Sequence, residues 1–347
     1  MKLIRVGLAL LFVAALAISG AAFWLQRTMN RPLTHDQPGE YITVERGSTP
    51  DQVMAQLKSV GIIHSPLAVK IYLRTVGEAQ NIQAGEYQFP SPISAVEVLD
   101  LLKKGRERSA RLTIPEGWTR FEIAGRIAND FPVEPSISKA EVLRLMNDVS
   151  LIEDFDPNSK NLEGYLYPTT YEFTMGTPAE EIVKKMVAQF KAVWEPGWTK
   201  RARELGRTPQ EIVTIASLIE NESKFDAERK RVASVIYNRL DRGMALGIDA
   251  TNVYIAKLLG RWDGILHKSD LEIDHPYNTR KVMGLPPGPI SSASRSAFEA
   301  ALYPEQSDYL FYVLDVDRND GSHNFYETAA GFAQGKAKYQ RWLARQR

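Results

Sequence analysis

The chain has 347 residues, and its 43 basic residues nearly balance its 42 acidic residues, which gives a formal net charge of +1. This balance provides no broad basic field for nucleic acid, so the sequence predicts no nucleic-acid partner. The chain has no cysteine, which excludes disulfides, a thiolate nucleophile and a zinc site built on cysteine.

The N-terminal segment predicts a membrane anchor. Residues 6–26 contain no charged side chain and are rich in Leu, Ile, Val and Phe, and a helix of this length crosses about 30 Å of hydrocarbon. The small residues at 19–22 leave a cleaved signal peptide open as the alternative. We interpret residues 1–26 as a short cytoplasmic N-terminus followed by one transmembrane helix.

The next two segments predict a linker and a small α+β module. Residues 27–39 are polar, contain two prolines and show no periodicity, which is typical of a linker. Residues 41–57 read as strand, turn and helix, and residues 111–127 align with them without a gap, which indicates an internal repeat. The βααβ order of residues 40–110 resembles a LysM-like module, for which sugar binding and a purely structural role both stay open.

The remainder divides into a connecting α+β subdomain, residues 111–199, and a motif-rich domain, residues 200–347. The fold class that we predict is therefore α+β, with a single N-terminal transmembrane helix, a LysM-like module and a C-terminal α+β catalytic domain. The chain contains no Walker loop, G-x-G-x-x-G, H-E-x-x-H or G-x-S-x-G motif, so nucleotide enzymes and metal hydrolases are not indicated.

One helix has a well-specified start. Thr208 suits the N-cap, Pro209 the first helical position and Glu211 the third position of a capping box. With the register set in this way, Glu220 falls at the edge of the apolar face and should be at least partly buried. The apolar stripe is formed by Ile212, Ile215, Ala216 and Ile219.

Two interpretations of Glu220 are possible from this position. Burial disfavours the charged form of a carboxyl group, and this suits a general acid for glycosidic bonds. Alternatively, Glu220 forms a structural ion pair with Arg229, Arg231 or Arg239.

Six segments in order then carry a family resemblance. They are ASLIENE (216–222), VIYNRL (235–240), LGIDAT (246–251), PYNT (276–279), GLPPGPI (284–290) and HNFYET (323–328). Together they resemble the catalytic domain of the YceG-like family, the endolytic murein transglycosylases, and LEGYLYPTTYEF (162–173) extends the likeness upstream. The chain departs from the family pattern at Ala250, where Pro is common, and at SSAS (291–294), where S-N-P-G is usual.

The resemblance implies the chemistry. Glu220 would be the single catalytic residue, first protonating the bridging oxygen between MurNAc and GlcNAc and then accepting the proton of the MurNAc C6 hydroxyl. That hydroxyl would attack C1 and leave a 1,6-anhydro end, with no metal or organic cofactor. Candidate substrate-binding residues are Asp249, Thr251, Tyr277, Asn278, Pro286, Pro287, Gly288 and His323, each of which could instead have a structural role.

The resemblance also implies partners and location. We expect peptidoglycan glycan strands as substrate, peptidoglycan synthases (penicillin-binding proteins) as partners, and a single-pass inner-membrane protein with its catalytic domain on the periplasmic side. Two alternatives remain. One is a hydrolytic muramidase, which would need a second carboxylate such as Asp249 or Glu222, and the other is a non-enzymatic wall-binding scaffold.

Overall fold

The computed structural model describes residues 2–45, 47–76, 82–104 and 109–346. The chain forms two compact units, Met1–Ser109 and Ala110–Arg347, which we call the N-terminal and C-terminal units. Each unit has its own hydrophobic core. Helices and short strands are mixed in both, which confirms the predicted α+β class.

In the N-terminal unit, two strands pair with each other, and two helices lie between them in the chain. β1 and β2 are antiparallel, with Tyr41 opposite Gln88 and Val44 opposite Gly85. The βααβ order is as predicted, while the LysM-like character of the unit stays a prediction. Its elements are α1 (Lys2–Asn30), β1 (Tyr41–Val44), α2 (Pro50–Ser59), α3 (Pro66–Val76), β2 (Gly85–Gln88) and α4 (Ala95–Lys104).

The N-terminal helix continues beyond the predicted anchor. Its segment Leu11–Asn30 is long and apolar enough to cross a membrane, and its most apolar stretch of 18 residues is not buried in the protein. Near the end of the helix, however, Met29 is only 1% exposed and belongs to the core of the N-terminal unit. Leu33 then pairs with Ile93 through two backbone hydrogen bonds. Part of the predicted linker, residues 27–39, is therefore attached to the N-terminal unit through Leu33.

The C-terminal unit is mainly helical with two small sheets, β3 with β4 and β5 with β6. Besides a short 3-10 helix at Val149–Ile152, its elements are β3 (Ser109–Thr113), α5 (Arg120–Asp130), α6 (Lys139–Leu145), β4 (Thr170–Thr174), α7 (Ala179–Val193), α8 (Pro196–Glu204), α9 (Pro209–Glu222), α10 (Asp226–Asp241), α11 (Asp249–Leu258), α12 (Lys268–Leu271), α13 (Arg295–Leu302), β5 (Phe311–Leu314), β6 (His323–Tyr326) and α14 (Ala329–Gln346). One hydrophobic core extends from Leu112 to Leu302 and so includes residues on both sides of position 200.

Helix α9 lies at the centre of this core. It begins as predicted, with Thr208 as N-cap in a capping box with Glu211 and Pro209 in the first turn. Every residue from 212 to 219 is buried, so the helix is enclosed on all sides rather than along one stripe. The reason is that α8, α10, α11 and α13 all pack against it. This enclosure fixes the position of Glu220 in its last turn.

The internal repeat is visible in the local structure. Thr49 and Thr119 each form a capping box at the start of the following helix, with Gln52 and Glu122 respectively. The preceding turns contain Gly47 and Gly117 with positive φ angles of 85° and 74°, a conformation that glycine adopts without steric cost. Only the second copy belongs to the C-terminal unit, where its turn approaches α9.

Candidate active site

The carboxylate of Glu220 is held by hydrogen bonds to both oxygens. Arg229 Nη2 donates to Oε1 at 2.8 Å, and the backbone N–H and hydroxyl of Ser294 donate to Oε2 at 2.8 and 2.5 Å. The Glu220 side chain is 5% exposed, which confirms the burial predicted from helix register. All three donors are suited to an ionised carboxylate.

Arg229 has several partners besides Glu220. Its side chain is also 5% exposed, and its Nη1 donates to the hydroxyls of Ser294 and Ser296. Its Nε lies 3.3 Å from Asp226 Oδ1, and its Nη2 lies 3.9 Å from Glu116 Oε2. The ion pair that the sequence allowed as a structural role for Glu220 is thus present. The ion pair is compatible with an acid–base role, because a carboxyl group that gives up and regains a proton passes through an ionised state that the arginine stabilises.

A turn of the second repeat closes one side of the Glu220 site. Gly117 N donates to Ser292 O and Ser292 N donates to Trp118 O, both at 2.8 Å. A Cβ added to Gly117 would lie 4.0 Å from Glu220 Cγ, so the backbone of the turn lies beside the glutamate side chain. Residues 111–127 align with residues 41–57, but this internal repeat gave no indication that the turn lies at the site.

Glu222 has different partners from Glu220. Its Oε2 accepts a hydrogen bond of 2.6 Å from the hydroxyl of Tyr312 on β5. Burial raises the pKa of Glu222, with a further contribution from the negative charge of Asp249. The two glutamates are two positions apart on α9, which places their side chains about 160° apart around the helix.

His323 is bound to the start of α10. Its backbone N–H donates to Glu228 Oε1 at 2.9 Å, and its Nδ1 lies 3.0 Å from Glu228 Oε2. The rings of His323 and Tyr312 are 5.4 Å apart. Glu228 and Arg229 are adjacent, so the first turns of α10 hold both His323 and Glu220.

Asp249 and Thr251 lie at the start of α11 and differ in exposure. Asp249 is half-exposed and accepts hydrogen bonds from Arg280, whose Nε and Nη2 lie 2.7 and 2.5 Å from Oδ1. Thr251 is fully buried, and its hydroxyl donates to Ile248 O at 2.7 Å and lies 3.1 Å from the hydroxyl of Thr279. Asp249 is therefore accessible to a ligand, whereas Thr251 ties two loops together.

Asn278 and Tyr277 also differ in exposure. Asn278 is fully buried, and its amide donates to the carbonyls of Leu271 and Ile273 at 3.0 and 2.7 Å. Tyr277 is partly exposed, and burial raises its pKa to about 12. Its ring lies 5.0 Å from that of Tyr254. Tyr277 therefore presents a protonated hydroxyl at neutral pH.

The loop 284–290 is anchored on α9 by its final residues. Ile290 N donates to the buried hydroxyl of Ser217 at 3.0 Å, and Gln210 Nε2 donates to Pro287 O at 3.1 Å. Pro286 and Gly288 are buried, whereas Pro287 is exposed. A Cβ added to Gly288 would lie 3.1 Å from the Tyr277 hydroxyl. The loop and Tyr277 are thus in direct proximity.

A buried carboxyl that the sequence did not single out lies at the start of α5. Glu163 is 2% exposed, and the backbone N–H of Arg120 donates to its two oxygens at 3.0 and 3.2 Å. Burial raises the pKa of Glu163 to about 8. The sequence around Glu163 is aromatic and shows no pattern from which the burial of this carboxyl group could have been predicted.

The described residues contain no group of three or more His, Asp or Glu side chains arranged to hold a metal ion. A small pocket of about 190 Å³ is lined by Thr49, Asp51, Lys70 and Arg74 among others. It belongs to the N-terminal unit, which does not contain Glu220. We therefore place the candidate site at Glu220 on the basis of side-chain chemistry.

Comparisons with known proteins agree with the motifs. The YceG-like family matches residues 42–338. The endolytic murein transglycosylase of Bacillus subtilis (strain 168) is 34% identical over 340 residues, which cover 93% of this chain and 91% of that protein. The protein of the same name from Streptococcus pneumoniae (strain D39 / NCTC 7466) is 31% identical over 336 residues, 88% of this chain and 60% of that protein.

A solved structure also matches. The crystal structure of a yceG-like protein of Listeria monocytogenes aligns with a TM-score of 0.58 at 32% identity, over 85% of this chain and 98% of that one. The fold and site define an α+β protein with a buried glutamate at the end of a central helix. The chain belongs to the YceG-like family.

Proposed function

We propose that this chain is a peptidoglycan lytic transglycosylase, which cleaves the MurNAc–GlcNAc β-1,4 bond within nascent glycan strands and leaves 1,6-anhydro-MurNAc ends. The names of its Bacillus and Streptococcus relatives support the enzyme class. The observation that carries the proposal is the buried Glu220 carboxylate with its three hydrogen bonds from Arg229 and Ser294. Such cleavage would end the elongation of a glycan strand.

The reaction balances with one carboxyl group. Protonated Glu220 gives its proton to the bridging oxygen as the bond from that oxygen to MurNAc C1 breaks. The MurNAc C6 oxygen forms the new bond to C1, and its proton passes to Glu220, which regains the starting form. Because nucleophile and reaction centre belong to one sugar, the step has the high effective concentration of an intramolecular reaction. The donors from Arg229 and Ser294 stabilise the ionised intermediate state of Glu220.

The other candidate residues fall into two groups by burial. Asp249, Tyr277, Pro287 and His323 retain exposed surface, so we assign them to contact with the glycan. Pro286, Gly288, Thr251 and Asn278 are buried, and we assign them to holding the loops that present the contact residues. The eight candidate residues are thus divided into four that we expect to bind the glycan directly and four that we expect to hold the loops in place.

We infer that α1 anchors the enzyme in the inner membrane as a single-pass protein with its catalytic unit on the periplasmic side. The apolar segment Leu11–Asn30 supports a membrane span. This location would place the site where new strands are polymerised, and we propose peptidoglycan synthases (penicillin-binding proteins) as partners. Recovery of an N-terminus beginning near Ala22 would instead indicate a cleaved signal peptide.

Product mass is the test of the reaction. The full chain in detergent is incubated with un-crosslinked glycan strands, and the new ends are analysed by mass spectrometry. We expect ends that are about 18 Da lighter than hydrolysed ends, because no water is added. Hydrolysed ends would identify a muramidase, and no cleavage would favour a wall-binding scaffold.

Hydrolysis is a second candidate because one observation favours it. A muramidase needs a second carboxylate beside Glu220. The sequence suggested Asp249 or Glu222, but the carboxylate that shares Arg229 Nη2 with Glu220 is Glu116. The same product analysis decides between the two reactions.

A further inference from the structure

We propose that Glu116 is a second carboxylate of the active site, which shares the Arg229 guanidinium with Glu220 and thereby regulates how readily Glu220 holds a proton. The inference rests on the proposed function, because it assigns Glu116 a role in the acid step of Glu220. In this role Glu116 is a positioning residue.

The geometry brings the two carboxylates together. Arg229 Nη2 lies 2.8 Å from Glu220 Oε1 and 3.9 Å from Glu116 Oε2. These two oxygens are therefore at most about 7 Å apart, close enough for their charges to interact. The Glu116 side chain is 56% exposed whereas that of Glu220 is 5% exposed. Glu116 thus lies on the solvent side of the buried pair, where a glycan strand would approach.

The backbone holds Glu116 in this place. It directly precedes Gly117, whose N–H donates to Ser292 O, and Ser292 N donates back to Trp118 O. This pairing joins the turn to the segment that also carries Ser294, the second anchor of Glu220. The backbone of the turn therefore has a defined position relative to Glu220, although the Glu116 side chain is exposed.

Negative side chains outnumber positive ones around Arg229. Glu220 from α9, Asp226 from α10 and Glu116 from the turn are all within 4 Å of the one buried guanidinium. Tyr167 adds a neutral hydroxyl whose pKa is raised by burial and by Glu116. Three carboxyl groups therefore share a single cation, and Glu116 is the one that lies farthest from it.

The interaction between the two glutamates is visible at Glu116. Partial burial, followed by the negative charge of Glu220, raises the pKa of Glu116. Such coupling is reciprocal, so the charges of the two glutamates influence each other by the same free energy. Glu220 must carry a proton in order to protonate the glycosidic oxygen, and Glu116 is the exposed carboxylate that shares its arginine.

A titration tests the coupling without requiring activity. Side-chain carboxyl carbons of Glu-labelled full-length protein are followed by ¹³C NMR against pH, and the Glu116 signal is assigned by its loss in Glu116→Gln. We expect Glu116 to titrate at lower pH in Glu220→Gln than in the wild type, because a neighbouring negative charge has been removed. Glu222→Gln is the matched control from the same helix and should leave the Glu116 titration unchanged. An unchanged Glu116 midpoint in Glu220→Gln would overturn the proposal.

The pH dependence of cleavage tests the consequence. Glu116→Gln should lower cleavage about three- to tenfold at pH 7.5 and approach the wild-type rate near pH 5, because the alkaline limb moves to lower pH. An equal loss by Glu116→Gln at every pH would mean a structural role and would overturn the proposal. A wild-type protein without cleavage would reject the proposed function, while the NMR titration would still decide the coupling.

Discussion

Gly164 and Pro289 are packed so closely that a Cβ added to Gly164 would lie 2.4 Å from Pro289 Cγ and 3.0 Å from Val213 Cγ1. Gly164 also has a positive φ of 81°, which disfavours residues with a side chain. The contact joins the segment 162–173 to the loop 284–290 and to α9. Two motifs that are more than a hundred residues apart in the sequence thus depend on one glycine.

We therefore expect Gly164→Ala to destabilise the C-terminal unit by more than about 2 kcal/mol, since it combines overpacking with an unfavourable φ angle. Urea unfolding measures the change. Gly206→Ala is the matched control, because Gly206 has a φ of 68° but nothing within 4 Å of an added Cβ. It should cost only about 1 kcal/mol. Equal losses in both variants would show that the contact with Pro289 is unimportant.

Glu220→Gln should abolish glycan cleavage while leaving folding and glycan binding intact. Gln has nearly the same volume and helix propensity as Glu but carries no transferable proton. Since general acid and base assistance each contribute about 10²- to 10⁴-fold, the loss should be near total. Cleavage rate, circular dichroism and strand co-sedimentation are the three measurements.

Glu222→Gln is the control for that prediction, because Glu222 accepts its hydrogen bond from Tyr312 and not from Arg229 or Ser294. It should keep most of the cleavage activity. A dead Glu222→Gln variant, or more than a few per cent of activity in Glu220→Gln, would reject Glu220 as the catalytic residue.

Arg229→Met should lower the free energy of unfolding by about 3 kcal/mol, because it leaves the buried Glu220 carboxylate without its cation. Denaturant unfolding of Arg229→Met, Glu220→Gln and the double variant forms a cycle. We expect the double variant to be less destabilised than the two single changes would give by addition, by about 1 kcal/mol or more. Strict additivity would mean that the two side chains do not interact in solution.

Glu163→Gln should change the pH dependence of stability. The folded-state pKa of Glu163 is raised to about 8 from an ordinary value of 4.5, so unfolding releases a proton between these values and the folded state loses stability as the pH rises through them. Gln removes this loss, and the variant should gain relative to the wild type between pH 5 and pH 8. The gain is at most about 1.4 kcal/mol per pH unit. Urea unfolding at pH 5, 6.5 and 8 measures this gain, and Glu153→Gln, at an exposed position, is the control. If the free energy of unfolding changed with pH in the same way in Glu163→Gln and in the wild type, the prediction would be contradicted.

Local sequence determined the elements that carry the site. Thr208, Pro209 and Glu211 specify the start of α9 through a capping box, and these signals act within one helical turn. Because a helix has a constant rotation per residue, the register from that start correctly placed Glu220 at a buried edge. The six ordered motifs likewise identified the family, since their spacing is a property of the chain alone.

Tertiary structure alone decided which groups surround Glu220. Arg229 could be named as one of three candidate partners, but only packing of α10 against α9 distinguishes it from Arg231 and Arg239. Ser294 and Glu116 lie 74 and 104 positions from Glu220 along the chain, and no periodicity relates residues at such separations. Their meeting depends on the backbone pairing of Gly117 and Trp118 with Ser292. Hydrogen bonds of this kind form only once the surrounding core has brought the two segments together, which is why helix register could predict the buried glutamate but not its charge environment.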